Sequence, residues 1–278
     1  MKLSIITVNL NNKEGLKKTF KSIISQTYKD YEWIVIDGGS TDGSKELIEE
    51  YRQYFSFWIS ESDKGVFNAM NKGLAHVSGE FVNFMNSGDV FYESTTLEKV
   101  FSEHLEGDMV YGNWLISKDG KMIFVQAPDN VTLDFFYEKN ICHQAMFIKS
   151  LILKKEGYDE NFRIVADWVR WIKMLLDGQT TQHIDHTICI YDKNNGLSSD
   201  PTNKLYILEK EKKQETFPPN IRTLVEIINH FKDIHHEIGK GNITVNHLIF
   251  LNWHPHYLKF LNFRIKMGER IRHLFQKK

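Results

Sequence analysis

Apolar and polar positions over the first 90 residues follow two alternating patterns. Leu3 to Val8 is a short, nearly unbroken apolar run, the signature of a strand buried on both faces. Leu16, Phe20, Ile23 and Ile24 then recur at helical spacing within residues 12–27. Trp33-Ile34-Val35-Ile36 reads as a second buried strand that stops at Asp37-Gly38-Gly39-Ser40-Thr41-Asp42-Gly43. Ser40, Thr41 and Asp42 are each suited to cap the helix that carries Leu47, Ile48 and Tyr51. Phe57-Trp58-Ile59 predicts a third strand, residues 66–75 a helix, and residues 80–85 a fourth strand. Strand and helix alternating at this spacing mean right-handed crossovers and a parallel sheet.

The pattern changes over residues 108–127. Three short apolar runs are split by Gly112-Asn113 and by Lys118-Asp119-Gly120, and the second break predicts a hairpin. The sheet is therefore expected to be mixed, though mainly parallel. Residues 161–178 return to helix and Ile184 to Tyr191 to strand. The first domain is expected to span residues 1–200 and a helical extension residues 201–278. In the extension, residues 204–213 form a charged helix, and Phe217-Pro218-Pro219 breaks it. An apolar stripe runs from Ile221 to Ile234.

The composition narrows the reading. Lys and Arg number 35 against 36 Asp and Glu, a net charge of −1, which excludes the strongly basic balance of a nucleic-acid binder. Two cysteines, Cys142 and Cys189, make no disulfide framework. No stretch reaches the roughly 18 apolar residues of a membrane span, and the first residues lack a signal-peptide shape. A cytoplasmic protein is expected. The balanced charge conceals a +6 tail, residues 254–278, joined to a −7 body. Phe260, Phe263, Met267, Ile271 and Leu274 recur along that tail at helical spacing. Such a basic amphipathic helix either lies on an anionic membrane surface or packs on protein, including a second copy of the chain.

Three clusters carry candidate chemistry. Asp37 ends an apolar strand and precedes two glycines, where an open α/β sheet binds ligands, although the same residues also make a turn with a helix cap. The dinucleotide and P-loop fingerprints are both missing from the sequence. Asn86-Ser87-Gly88-Asp89 follows another apolar strand and offers one carboxylate to a hard cation, or a polar turn. Asp167 lies in an apolar helix beside Trp168 and Trp171, surroundings that favour a raised carboxyl pKa and a general-base role. Cys142-His143 is a poor nucleophile–base pair, because neighbours on a strand face opposite sides. His183-Ile184-Asp185-His186 reads as a surface strand and not a metal cluster.

In order and spacing these clusters resemble the family 2 glycosyltransferases, which have the GT-A fold. The resemblance runs from Ser4-Ile5-Ile6-Thr7-Val8-Asn9 through Gln26-Thr27-Tyr28 and the Glu32 to Gly43 segment. It continues in Asp63-Lys64-Gly65 and Met70-Asn71-Lys72-Gly73, then in residues 86–89, His143-Gln144 and Asp167, and covers roughly residues 1–200. It implies that Thr7, Asn9, Asp37, Asp63, Asn71 and Lys72 bind a nucleotide sugar, a UDP-sugar being the expected donor. It implies that Asp89 meets a divalent cation, manganese or magnesium. It further implies that Asp167 deprotonates the acceptor hydroxyl and that His143, Gln144 and Trp168 face the acceptor. The expected function is inverting transfer of one sugar to a glycan or lipid-linked acceptor in bacterial surface-polysaccharide assembly. A single acid in the metal motif departs from relatives that carry several. It leaves a non-catalytic binding scaffold as a competing reading; a nucleotidyltransferase, which can share a similar α/β core, is the other.

Overall fold

The computed structural model describes residues 2–194, 200 and 202–224. The chain divides into two compact units, Met1–Thr216 and Phe217–Lys278. Every candidate site residue falls in the first. The helix Lys204–Lys213, assigned from sequence to the extension, also lies within the first unit. The basic tail 254–278 and residues 225–234 of the apolar stripe lie outside the described residues.

The first half is β1 (Leu3–Asn9), α1 (Lys13–Ile24), β2 (Tyr31–Asp37), α2 (Ser44–Tyr51), β3 (Phe57–Ser60), α3 (Val66–Leu74) and β4 (Phe81–Phe84). β1 pairs in parallel with both β2 and β4, and β2 pairs in parallel with β3. All seven residues of β1 are buried, as an apolar run flanked by helices requires. Gly73 lets α3 settle on the sheet: a Cβ there would stand 2.7 Å from the Ile6 side chain. Asn12 caps α1 by accepting from the Gly15 N–H. The cap of α2 differs from expectation. It falls on Gly43, whose φ is 89°, while the Asp42 carboxylate accepts from Ser44 N–H and Lys13 N–H.

The second half is β5 (Val90–Phe91), α4 (Thr96–Ser102), β6 (Met109–Lys118), β7 (Lys121–Val125), α5 (Leu133–Glu138), β8 (Met146–Lys149), α6 (Ser150–Glu156), α7 (Ala166–Leu176), β9 (Thr181–Asp192) and α8 (Lys204–Lys213). The mixed sheet runs β3-β2-β1-β4-β8-β6-β9-β5, with β7 on β6. β8 joins the halves by pairing antiparallel with both β4 and β6. The hairpin at Asp119-Gly120 is present, with φ of 50° and 73°, the left-handed pair of a tight hairpin turn. Gly112-Asn113 is not a break. β6 runs straight through it, with register shifts against β9, and Gly112 is small because the His186 carbonyl oxygen would stand 2.5 Å from a Cβ.

Candidate active site

The parallel strands bring Asn9, Asp37 and Ser60 to one edge of the sheet, at the carboxyl ends of β1, β2 and β3. Asp37 is completely buried there. One carboxylate oxygen accepts from Asn9 Nδ2 at 2.8 Å and Ser40 Oγ at 2.6 Å; the other accepts from Ser40 N–H at 2.9 Å and Ser60 Oγ at 2.6 Å. Burial pushes its pKa up, but these hydrogen bonds outweigh it and hold the carboxyl below its usual range. Asp63 lies against Gly38, with a carboxylate oxygen 2.5 Å from where a Cβ would sit, so a side chain at residue 38 would displace Asp63. Lys72 reaches the same loop, pairing with Glu61 at 2.6 Å and donating to the Ser62 carbonyl at 3.0 Å. Thr7 is buried beneath this edge and accepts from Trp33 Nε1. Asn71 faces elsewhere: it ties α3 to residues 158–160 through both Tyr158 backbone groups and Glu160.

A second group surrounds a cleft of about 520 Å³ whose lining includes Asp89, His143, Gln144, Asp167 and Trp168. Five residues named from sequence thus meet in one cavity. Thr7, Asn9, Asp37, Asp63, Asn71 and Lys72 do not line it. Asp89 accepts from Gln144 Nε2 at 2.6 Å and from Asp192 N–H at 2.9 Å. Burial drives its pKa up to about 7, and those two hydrogen bonds offset only part of that rise. Asp167, in the first turn of α7, accepts from its neighbour Trp168 N–H at 2.7 Å on one oxygen. Its other oxygen lies 3.3 Å from both Asn140 Nδ2 and His143 Nδ1. The far nitrogen of His143 is 2.9 Å from Asn86 Nδ2.

Helix α8 fixes the start of α7. The buried Glu209 carboxylate accepts from the N–H groups of Arg163, Ile164 and Val165, at 2.7, 2.8 and 3.2 Å. These are N–H groups that no turn of α7 can use. Trp168 donates its indole N–H to the Phe136 carbonyl, which anchors α7 on α5.

Hard oxygen donors gather at Asp89. Asp192 brings a second carboxylate beside it, and Gln144 Oε1 is buried without a partner. Two carboxylates with an unpaired amide oxygen suit a divalent cation that shares substrate oxygens. Among the described residues no cluster of three His, Cys, Asp or Glu side chains is placed to hold a metal alone. His183, Asp185 and His186 contact Asp129, Asn113 and Glu103 respectively, three separate partners.

The cleft continues along the sheet. Ile116 and Tyr191 line it and sit side by side in register, and Ile116 is also opposite Ile123 on β7. This row is apolar across three strands, and Ile123 at its outer end is 50% exposed.

Sequence reasoning missed Asp192, Asn140, Glu209 and Lys213. An acid at the end of a strand is a readable signal for Asp192. The other three carry no local signal, because their partners lie 27 to 77 residues away.

The sequence profile of Glycosyl transferase family 2 matches residues 4–174. A PGL/p-HBAD biosynthesis glycosyltransferase of Mycobacterium bovis is 30% identical over 212 residues, covering 73% of this chain and 82% of its own. A putative teichuronic acid biosynthesis glycosyltransferase, TuaG of Bacillus subtilis, is 26% identical over 71% of this chain and 81% of its own. Among solved structures, S. aureus TarS 1-349 in complex with UDP-GlcNAc superposes with a TM-score of 0.66 at 19% identity, over 81% of this chain and 70% of that one. The mannosyltransferase PcManGT from Pyrobaculum calidifontis, in complex with GDP-Man and Mn2+, superposes with a TM-score of 0.57 at 15% identity, over 100% and 88%. With its GT-A-type fold, the chain belongs to glycosyl transferase family 2.

Proposed function

We propose that this protein transfers a single sugar, with inversion, from a UDP-sugar to a hydroxyl of a glycan or lipid-linked acceptor in surface-polysaccharide synthesis. The observation that carries the reading is Asp167. Among the described residues it is the one carboxylate that combines a place in the cleft wall with a helix start held by α8 and two long hydrogen bonds. Asp167 would accept the proton of the acceptor hydroxyl as that oxygen attacks the anomeric carbon, opposite the departing diphosphate. A single displacement needs no covalent enzyme intermediate. The Asp37 edge, at the carboxyl ends of β1 to β3, would hold the nucleoside, and Asp63 and Lys72 would lie beside it. Lys18, Arg163 and Lys193 also line the cleft and would bring positive charge to the diphosphate.

Asp89 and Asp192, with Gln144 Oε1, would hold a manganese or magnesium ion. When bound, it would offset charge on the leaving diphosphate. Support for a nucleotide-sugar donor comes from the two structural neighbours, one bound to UDP-GlcNAc and one to GDP-Man with Mn2+. Support for surface-polysaccharide synthesis comes from the names of the Bacillus and Mycobacterium relatives, which refer to teichuronic acid and to PGL/p-HBAD biosynthesis. The apolar row Tyr191–Ile116–Ile123 favours a lipid-linked acceptor over a wholly polar one.

The test is Asp167→Asn, assayed over a panel of nucleotide sugars and lipid-linked acceptors. Transfer should fall by about 10³-fold or more while UDP still raises the melting temperature as in the parent. Near-normal transfer by this variant would remove the base assignment. A melting-temperature panel of UDP, GDP and CMP with manganese assigns the base: a shift with GDP alone would overturn the UDP donor.

A further inference from the structure

Three side chains join the end of β4 to the start of α7. Asn86 Nδ2 faces His143 Nε2 at 2.9 Å, and His143 Nδ1 faces Asp167 at 3.3 Å. The His143 and Asp167 side chains are only 14% and 11% exposed, and the Phe84 ring stands edge-on to the imidazole, 6.3 Å between centres. Both side chains are largely enclosed, each with one edge on the cleft. With Asn86 Nδ2 against it, Nε2 is the acceptor of this pair and presents its lone pair to the amide N–H, while Asn86 Oδ1 is buried without a partner. An N–H on Nδ1 then points at the Asp167 carboxylate. A carboxylate in place of Asn86 would reverse the order. It would draw a proton onto Nε2 and leave Nδ1 either bare against Asp167 or carrying a second proton.

We propose that His143 is a positioning residue: Asn86 fixes its Nδ1–H tautomer, and that N–H orients the Asp167 carboxylate toward the acceptor hydroxyl. The proposal rests on Asp167 being the base. His143 neither gains nor loses a proton in the step. The acceptor proton passes to Asp167 and from there to solvent, while the imidazole keeps its one N–H throughout. Asn140, the other donor to the same oxygen, restrains the carboxylate from a second side. The amide at residue 86 therefore has a specific consequence: it selects the tautomer.

The two nitrogens can be replaced separately. In His143→Asn the side-chain amide falls near the former Nδ1, whereas in His143→Gln it reaches the former Nε2. His143→Asn should keep kcat within about fivefold of the parent. His143→Gln and His143→Ala should each lose about 10²-fold, the scale of a misplaced catalytic group. KM for the nucleotide sugar should stay within about twofold in all three. Equal losses in the three variants, or losses confined to KM, would overturn the proposal. A second measurement needs no turnover. Two-bond 15N–1H correlation spectra of the histidine-labelled full chain, with His143 identified by its absence in His143→Asn, should show the neutral Nδ1–H form. Asn86→Asp should convert it to the Nε2–H or doubly protonated form. A parent spectrum showing Nε2–H overturns the proposal whatever the kinetics. If the parent protein transfers no sugar to any acceptor, the activity reading fails, and the spectra still decide the Asn86–His143–Asp167 arrangement.

Discussion

The ammonium of Lys213 lies 3.3 Å from the centre of the Trp168 ring, completely buried, and donates to the Tyr137 and Phe136 carbonyl oxygens at 2.7 and 3.3 Å. The ring face and the carbonyls favour the charged lysine. Burial opposes it more strongly, Lys210 adds repulsion, and Glu138 recovers little, so the pKa falls to about 7. In the unfolded chain a lysine titrates near 10.4. Between about pH 7 and pH 10 the unfolded state therefore binds more protons, and stability from this group rises with pH. Below about pH 7 both states are charged and the contribution is flat. Lys213→Met should lose the rise: its urea midpoint relative to the parent should become less favourable step by step from pH 7 through 8 to 9. Parallel profiles for the two proteins would contradict this.

Glu209, one turn earlier on α8, acts on the start of the same helix. Its carboxylate serves three N–H groups, at Arg163, Ile164 and Val165, immediately before Asp167. Removing it leaves buried donors unpaired, at a cost of about 3 kcal/mol. Glu209→Ala should lose that much in denaturant unfolding. Its kcat should fall further than its KM for the nucleotide sugar changes, because the damage is to the placement of Asp167. A full loss of stability with unaltered kcat would show that α7 holds its first turn unaided.

These two contacts mark where the sequence stops being readable. The parallel half of the fold was legible because buried strands advertise themselves, as Leu3–Val8 and Trp33–Ile36 do, and Asp37 and Asp89 follow such runs directly. The hairpin was legible because Asp119-Gly120 has the residues that a left-handed turn demands. Gly112 misled for the opposite reason: glycine marks a close approach as well as a turn, and only the neighbouring strand shows which. Asn71 stands in the segment that carries the family resemblance, yet its amide is spent on the Tyr158 backbone. Asp192 could have been picked out by its place at the end of β9. Glu209 and Lys213 could not, since they sit in a helix whose charged composition looks solvated until its packing is seen.

The apolar row leading out of the cleft gives a test of the acceptor. Ile123 lies in register with Ile116, which lines the cleft, and stands half exposed beyond it. A chain laid on this row would bury methylenes on one side only, so affinity for alkyl β-glucosides should rise about twofold per methylene, below the value for full burial. Tryptophan fluorescence titration with hexyl, octyl and decyl glucoside below micelle formation would measure it. Ile123→Ser should flatten the dependence on chain length without altering the melting shift given by UDP. A slope that survives the substitution places the alkyl chain elsewhere.

Asp89 offers the sharpest separation between a binding scaffold and an enzyme. Its carboxylate is buried, holds Gln144 and the Asp192 backbone, and has a second carboxylate as neighbour. The Asp192 carboxylate adds repulsion to Asp89, which a cation would relieve. Asp89→Asn removes the charge while keeping an oxygen for the Asp192 N–H. If Asp89 holds the ion, manganese should stimulate transfer by the parent and not by the variant, and residual transfer should be the same with and without chelator. Manganese should also raise the melting temperature of the parent with UDP present, an effect the variant should lose. An unchanged manganese response in Asp89→Asn would move the cation to other oxygens. A parent that binds UDP and manganese but neither hydrolyses nor transfers any sugar would favour the scaffold.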